Sequence, residues 1–350
     1  MDRDTLQRML RDMLLSRAFE ERAAEEYSKG NIVGFLHLYP GEEAVAAGVI
    51  NATGPSDYIV SNYREHAHAL VRGTPARQVM AELFGKVTGM SHGMGGSMHM
   101  FDRERRFMGG YAIVGQTCPI SIGIAYAVAM RGLPDVVVNF FGDGAVNQGT
   151  FHESLNMASL WRLPVLFVCE NNHYAIGTEI RRHSAVPEVF KRVAAYNISA
   201  EKVDGMDVLK AYNATRQALD RIRRGGGPQF IECETYRYRG HSMADPGTYR
   251  PAVELKAFQG ADPLTTAERE LEFRYPTPEE LAVVGPDNIK MFADHLLDGE
   301  HLVEAEVEDM RAEVAKIVDD AVAFATESPQ PTMDGAFGYL NGNGRHEVLM

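Results

Sequence analysis

Two short polar motifs are the residues of this sequence best suited to chemistry. Gly-Asp-Gly occupies positions 142–144, and Asn-Asn occupies positions 171–172, with 26 residues between them. Asp143 offers an anionic oxygen and Asn172 an amide oxygen, and a nearby backbone carbonyl would complete three protein ligands. Such a set of hard oxygens suits Mg²⁺, which a carboxylate commonly shares with the phosphates of a bound molecule. The pattern therefore predicts a magnesium–phosphate site.

The alternative interpretation is a pair of ordinary turns, because a lone Gly-Asp-Gly is usually a tight turn capped by its aspartate. The sequence before each motif favours a ligand site instead. Apolar runs at 136–141 and 164–169 predict buried strands that end at the two motifs. Ligands of open α/β sheets bind beyond the carboxyl ends of such strands. The glycines beside Asp143 let phosphate oxygens approach the backbone, and the amino end of the helix predicted at 150–160 favours an anion.

The elements that must position these motifs alternate between strand and helix. Strands are predicted at 136–141, 164–169 and 229–233, and helices at 4–28, 121–130, 150–160, 208–223 and 301–325. Strands that are largely apolar and alternate with helices predict an α/β fold, a mostly parallel sheet covered by helices. We expect one α/β domain over 1–350, with an N-terminal helical extension at about 1–60 and a C-terminal helical segment at about 287–330.

Two regions lack a clear period. Residues 85–115 are dense in glycine, methionine and histidine, which predicts a long functional loop. Residues 244–286 lose their periodicity and predict an extended surface segment.

Composition excludes several classes of protein. The chain has 350 residues, with 48 acidic and 35 basic side chains and a formal charge of −13, which argues against a nucleic-acid partner. The absence of a long apolar run argues against a membrane span, and the charged start argues against a secretory signal. Three isolated cysteines cannot form a disulfide framework and favour the reducing cytoplasm.

The two motifs together resemble the thiamine diphosphate motif. Their context resembles the alpha subunit of the two-subunit 2-oxo acid dehydrogenase decarboxylases, and it is closest to pyruvate dehydrogenase. The resemblance is colinear over about 15–330. It implies the thiamine diphosphate-binding fold, of which this chain is the diphosphate-binding half. The stretches that carry it besides the two motifs are Gly34-Phe-Leu-His-Leu-Tyr39, Asn62-Tyr63-Arg64-Glu65-His66, Gly95-Gly96-Ser97-Met98-His99-Met100, Ile113-Val114-Gly115, Val203-Asp-Gly-Met206 and Tyr236-Arg-Tyr-Arg-Gly-His-Ser-Met-Ala-Asp-Pro-Gly247.

The resemblance implies a set of site residues. The magnesium ligands it implies are Asp143, Asn172 and the backbone carbonyl of Tyr174. The cofactor-binding residues it implies are Tyr63, Arg64, Ala112, Ile113, Val114, Gly142, Asp143, Gly144, Ala145, Asn172 and His241. Ala112 stands where glycine is expected in the family, beside the segment whose backbone grips the aminopyrimidine ring. His66 and His241 match the family's active-site histidines, and Ser242 matches a position that is phosphorylated in some relatives but that we take as loop structure.

The resemblance also implies an activity and partners. The expected reaction is the thiamine diphosphate- and Mg²⁺-dependent oxidative decarboxylation of pyruvate, with acyl transfer to a lipoyl group of the acyltransferase component. A beta subunit would supply the rest of the active site in an α2β2 assembly, so the chain alone should show negligible decarboxylation.

Three other functions stay open. Acetoin and branched-chain 2-oxo acids are alternative substrates of the same cofactor. A magnesium-dependent nucleotide-binding module is a different class, although the glycine-rich segment at 93–96 lacks the lysine of a phosphate-binding loop. A zinc site at the His66 and His68 pair is disfavoured because no further ligands accompany it.

Overall fold

A parallel sheet of six strands organises the part of the chain that the computed structural model describes, residues 1–259, 287–299 and 301–335. The strands are β1 (Tyr58–Asn62), β2 (Phe107–Tyr111), β3 (Val137–Gly142), β4 (Val165–Asn171), the short β5 (Tyr174–Ala175) and β6 (Thr178–Glu179), β7 (Ser199–Asp204) and β8 (Gln229–Glu234). The order in the sheet is β2-β1-β3-β4-β8-β7, and every neighbouring pair is parallel. β5 and β6 form a separate antiparallel pair.

The central strands bring the two polar motifs to one edge. β4 is buried at every position, as expected of a strand covered on both faces. Gly142 at the end of β3 pairs with Glu170 of β4, so Asp143 and Asn171 follow this pair on neighbouring segments at the same edge of the sheet. The predicted α/β fold is confirmed, and the strands predicted at 136–141, 164–169 and 229–233 are β3, β4 and β8.

Helices cover both faces of the sheet. They are α1 (Arg3–Ser28), α2 (Glu43–Asn51), α3 (His66–Val71), α4 (Ala76–Leu83), α5 (Thr117–Met130), α6 (Gly149–Leu160), α7 (Ile180–His183), α8 (Val189–Val193), α9 (Val208–Arg221), α10 (Ala252–Phe258), α11 (Asn288–Asp298) and α12 (Glu304–Glu327). α1 begins where the side chain of Asp2 accepts a hydrogen bond from the backbone N–H of Thr5, at 2.8 Å. In the described residues, no helix is both long and apolar enough to cross a membrane.

Two apolar cores lie on opposite faces of the sheet. The first contains side chains of α1, α2, α9 and α12 with Phe140 and Cys233, and the second contains side chains of α5, α6 and α8 with Phe141. Cys118 and Cys169 belong to the second core. All three thiols are free and buried, and burial raises the pKa of each, in Cys118 to about 12.

The predicted loop over 85–115 is wrong at its end, where β2 forms. β2 was not predicted because it contains two adjacent glycines, which do not give a strand pattern. Glycine is required at both positions because a larger side chain has no room there. A Cβ on Gly109 would lie 2.2 Å from the ring of Phe101, and one on Gly110 would lie 0.9 Å from the carboxylate of Glu65.

The part of that loop before β2 is tied to a single buried carboxylate. Glu82 Oε2 accepts hydrogen bonds from the backbone N–H groups of Ser91 (2.8 Å) and Gly93 (2.9 Å). Glu82 Oε1 accepts from those of Gly95 (2.7 Å) and Gly96 (3.0 Å). Four charge-assisted bonds give this glycine-rich chain a defined path.

The predicted extended segment at 244–286 is wrong over 252–258, where the chain forms α10, and 260–286 lies outside the described residues. Within the predicted N-terminal extension, α1 and α2 contribute to the first core. The predicted C-terminal segment contains α11 and α12. The division into one domain with two additions stays a prediction.

Candidate active site

Asp143 lies in a tight turn directly after β3. A single turn of 3₁₀ helix covers Asp143–Ala145, and the Asp143 side chain is buried. Its Oδ2 atom has no hydrogen-bond partner, which is costly for a buried carboxylate oxygen. Such an oxygen is suited to a cation or a donor that joins it on binding.

The first residue of the Asn-Asn motif holds the following turn. Asn171 Nδ2 donates to Glu232 Oε1 at 2.7 Å on the neighbouring strand β8. Asn171 Oδ1 accepts from the backbone N–H of His173 at 3.1 Å, and His173 adopts the left-handed conformation with φ of 71°. Asn171 thus has a structural role, and Asn172 is left to face the site.

Asn172 and Tyr174 are held by two buried ionic side chains. Asn172 Nδ2 donates to Glu42 Oε1 at 3.1 Å, and Asn172 Oδ1 accepts from the backbone N–H of Tyr174 at 3.3 Å. Arg237 donates from Nη2 to the carbonyl of Ile176 at 3.0 Å, and its Nη1 lies 3.5 Å from the carbonyl of Tyr174. Arg237 therefore fixes the backbone of the turn that carries a predicted ligand.

The turns after β3 and β4 touch each other. A Cβ on Gly144 would lie 3.0 Å from the Cβ of Ala175, so only glycine lets the turns meet without displacement. This contact brings together the segments of Asp143, Asn172 and Tyr174. In the described residues, no three His, Cys, Asp or Glu side chains form a metal cluster, so a cation here would depend on amide and carbonyl oxygens.

Three aromatic rings form a cluster beside these turns. The His37 ring centroid lies 4.6 Å from that of Tyr63 and 5.1 Å from that of His241, and the last two are 5.7 Å apart. Burial, with a contribution from Arg64, lowers the pKa of His37 to about 2 and that of His241 to about 3. Both imidazoles are therefore neutral at pH 7. The Nδ1 atoms of both are buried without hydrogen-bond partners and are available to a ligand.

Arg64 joins three segments that surround the cluster. Its Nη1 donates to the carbonyl of Leu38 at 2.5 Å, and its Nη2 donates to the carbonyl of His241 at 3.0 Å. Its Nε lies 3.7 Å from Glu42 Oε2. The guanidinium is almost fully buried, so it contributes positive charge to the site as well as structure.

Buried carboxylates of two glutamates, Glu170 and the Glu42 already described, border the site. Glu170 accepts from the Tyr39 hydroxyl at 2.6 Å and from Asn62 Nδ2 at 3.1 Å, and its Oε1 lies 3.0 Å from His68 Nε2. Burial raises the pKa of Glu42 to about 7, although Arg64 opposes the shift. We did not predict these groups from the sequence, because their partners lie more than 100 positions away along the chain.

The predicted histidine His66 is not brought to the cluster. It is fully buried, with Nδ1 3.0 Å from Glu20 and Nε2 2.9 Å from Ser97 Oγ. Both ring nitrogens are engaged, which is typical of a structural histidine. His37 lies beside His241 instead. We did not predict His37, although it stands in the Gly34–Tyr39 stretch that carries the family resemblance.

The segment predicted to grip a ring follows β2 and is open to solvent. The Ile113 side chain is 68% exposed and that of Val114 is 42% exposed, while Ala112 is half-buried. Gly115 follows with φ of 84°, and its carbonyl accepts a hydrogen bond from the Thr150 hydroxyl at 3.2 Å. This bond ties the segment to the amino end of α6.

The loop that carries His241 is closed by Asp245. Asp245 Oδ2 accepts from the backbone N–H of His241 at 2.6 Å and from the Tyr249 hydroxyl at 2.8 Å. Ser242 lines a separate cavity of about 300 Å³ together with Arg239. The loop thus presents its histidine to the site and its serine to another surface.

Comparisons with known proteins fit this geometry. The family described as "Dehydrogenase E1 component" matches residues 11–275 and 272–334. A pyruvate dehydrogenase E1 component subunit alpha-3, chloroplastic, of Arabidopsis thaliana is 42% identical over 326 residues, which are 91% of this chain and 70% of the relative. The pyruvate dehydrogenase E1 component subunit alpha of Porphyra purpurea is 41% identical, over 94% of this chain and 90% of the relative. That of Rickettsia felis is 39% identical, over 92% and 91%.

Proposed function

This chain belongs to the dehydrogenase E1 component family, and we propose that it is the alpha subunit of a pyruvate dehydrogenase-type enzyme. The proposed reaction is the oxidative decarboxylation of pyruvate, with transfer of the acyl group to a lipoyl-bearing acyltransferase. The buried and unpartnered oxygen of Asp143, beside the turn of Asn172 and Tyr174, is the observation that carries this proposal.

The proposed cofactors are thiamine diphosphate and Mg²⁺. Asp143, Asn172 and the carbonyl of Tyr174 would hold the cation, a set of hard oxygens that Mg²⁺ prefers. Gly142, Gly144, Ala145 and the positive charge of Arg64 would face the diphosphate, and Ala112 to Val114 would contact the ring. When bound, thiamine diphosphate supplies the electron sink that decarboxylation of a 2-oxo acid requires.

The chain's own contribution to the chemistry is a pair of neutral imidazoles. His37 and His241 each have an Nδ1 atom without a partner, and the Tyr63 ring centroid lies 4.6 Å from that of His37 and 5.7 Å from that of His241. A neutral imidazole donates or accepts one hydrogen bond at Nδ1 according to its tautomer. We assign to these two rings the orientation of the substrate by hydrogen bonds at Nδ1.

An uncovered apolar face supports a second chain as partner. α5 contains no charged residue in 14 positions, yet Gly123, Tyr126, Ala127 and Met130 are exposed on it. A helix that is apolar all round is normally buried on all sides. The Tyr126 ring lies 5.5 Å from that of Trp161, which is itself 46% exposed. We propose that the beta subunit covers this face in an α2β2 assembly.

The same face leads to the site. α5 begins at Thr117, two residues after Gly115, so the exposed side chains of Ile113 and Val114 lie on the chain between the carboxyl end of β2 and this helix. A chain seated on α5 would also reach the cofactor ring. The position of these exposed side chains between the sheet edge and α5 supports a site that the partner completes.

We also propose the reducing cytoplasm as the location, because all three cysteines are free.

Calorimetric titration of thiamine diphosphate into the assembled two-chain enzyme tests the proposal. Binding should require Mg²⁺ and should be lost in Asp143→Ala, while Asp309→Ala on the exposed side of α12 should bind as the wild type does. Binding that is independent of Mg²⁺, or unchanged in Asp143→Ala, would contradict the proposal.

Assays with pyruvate, acetoin and a branched-chain 2-oxo acid, each with an artificial electron acceptor, separate the three substrates. Pyruvate should be preferred. ATP binding without a beta subunit would favour the nucleotide-binding alternative.

A further inference from the structure

We propose that His183 is a positioning residue for Asp143, and that its ring N–H holds this carboxylate ready for a divalent cation. The inference rests on the magnesium site of the proposed function. His183 is the last residue of α7, on a segment that the sequence patterns did not connect with the site. Its Nε2 atom lies 3.5 Å from Asp143 Oδ2, and both atoms are buried without any other hydrogen-bond partner.

Asn147 and Ser184 surround the other ring nitrogen of His183, Nδ1. Arg192 Nη2 lies 3.0 Å from Asn147 Oδ1, and because arginine only donates, the amide oxygen must face it. The Nδ2 group of Asn147 therefore points the other way and donates to the His183 carbonyl at 2.9 Å. The same group lies 3.1 Å from Ser184 Oγ and 3.2 Å from His183 Nδ1, and Ser184 Oγ is itself 3.0 Å from that nitrogen.

The partners on both sides of the ring agree with a donor facing Asp143. Ser184 Oγ and Asn147 Nδ2 can each donate to Nδ1, so this nitrogen can be the acceptor of the ring. Asp143 Oδ2 is a carboxylate oxygen, which only accepts, so a hydrogen bond between it and the ring requires the hydrogen on Nε2. A donor and an acceptor are thus aimed at each other across a gap slightly longer than a normal hydrogen bond.

A histidine in this position constrains the carboxylate without binding the cation itself. A hydrogen bond to one oxygen of a ligating carboxylate fixes its orientation, and partners of this kind commonly change metal affinity by about 10–100-fold. Arg192 also donates to the carbonyl of Val146 at 2.9 Å, so the chain Arg192, Asn147, His183 and Asp143 is anchored to the turn after β3. The positioning residue and the ligand are therefore held by one network.

The test measures Mn²⁺ binding by the assembled two-chain enzyme with thiamine diphosphate present, from the electron paramagnetic resonance signal of free Mn²⁺. His183→Leu removes the donor and should weaken Mn²⁺ binding by about 10-fold or more. His183→Gln places an amide N–H near the position of Nε2 and should restore most of the affinity. His301→Leu, at an exposed histidine of the α11–α12 connection, is the matched control and should bind as the wild type does.

The outcomes separate this inference from the proposed function. If the wild type binds Mn²⁺ and Asp143→Ala does not, but His183→Leu equals the wild type, then the inference is wrong and the proposed function stands. Equal losses in His183→Gln and His183→Leu would also overturn it, because ring shape and not the donor would then matter. If the wild type itself does not bind Mn²⁺, the proposed function fails.

A second variant covers the case in which His183→Leu does not fold. Asn147→Leu changes an exposed side chain and removes one of the two groups that can donate to His183 Nδ1. It should weaken Mn²⁺ binding in the same direction but less than His183→Leu does. Unchanged affinity in Asn147→Leu would contradict the proposed network.

Discussion

Replacing one buried carboxylate should change the pH dependence of stability in a way that can be calculated beforehand. Asp12 lies on α1, is 9% exposed, and accepts a hydrogen bond from Asn51 Nδ2 at 2.8 Å. Burial raises its pKa from 3.8 to about 6, against the opposing effects of Asn51, Arg11 and Arg8. The folded protein therefore binds a proton more tightly at Asp12 than the unfolded chain does.

The sign follows from linkage. A pKa that is raised by folding contributes stability that is fully present below about pH 4 and is lost as the pH rises through about 6. The difference of roughly two pKa units, at about 1.4 kcal/mol each, corresponds to about 3 kcal/mol. At about pH 8, ionised Asp12 thus lowers the free energy of unfolding by up to that amount.

The variant Asp12→Asn is uncharged at every pH, and its amide oxygen can accept the same hydrogen bond from Asn51. We expect it to be more stable than the wild type by up to about 3 kcal/mol near pH 8, with no gain near pH 4. Urea unfolding followed by circular dichroism at intervals between these pH values measures the difference, and Asp309→Asn at an exposed position serves as control. A gain that does not vary with pH, or a loss near pH 8, would refute the reasoning.

Two further changes test the loop anchor and the apolar face. Glu82→Gln keeps two of the four accepted hydrogen bonds and turns an N–H donor towards the others, so the loop should lose about 3–6 kcal/mol of local stability. Hydrogen exchange of the amides of 91–96 should accelerate, and unchanged protection would contradict the anchor. Met130→Arg puts a charge on the exposed face of α5 and should reduce co-purification of the beta subunit at least about tenfold, since an unpaired buried charge is costly. Asp309→Arg should have no such effect, and full assembly of Met130→Arg would place the partner elsewhere.

The strands that the sequence predicted are those whose patterns are dictated by local burial. β3, β4 and β8 are buried along almost their whole length because helices cover both of their faces, so each stands out as a short and largely apolar run. β7 is an edge strand with charged and half-exposed positions, and β2 contains two adjacent glycines. β7 and β2 are strands because they pair with β8 and β1 in the sheet, and this pairing leaves no pattern in their own local sequence.

The same distinction applies to the site. The Gly-Asp-Gly and Asn-Asn motifs could be placed together because both follow predicted strands that pair in the sheet. His37 could not, because its contact with His241 joins residues that are about 200 positions apart. His66 follows Tyr63 and Arg64 in sequence, but α3 turns its ring towards Glu20 in the interior. The direction of a side chain on a helix depends on what packs against that helix, and this information is not in the motif.

The three buried thiols can report when the helices that cover the sheet separate from it, because each thiol reacts only when it is exposed. Cys233 lies in the core beneath α1 and α2, whereas Cys118, on the buried side of α5, and Cys169, on β4, lie in the core on the opposite face of the sheet. Burial and a raised pKa keep all three out of reach of alkylating reagents while the sheet is covered. A thiol can react only when the layer above it separates, so the order in which the three are modified records which side of the sheet opens first.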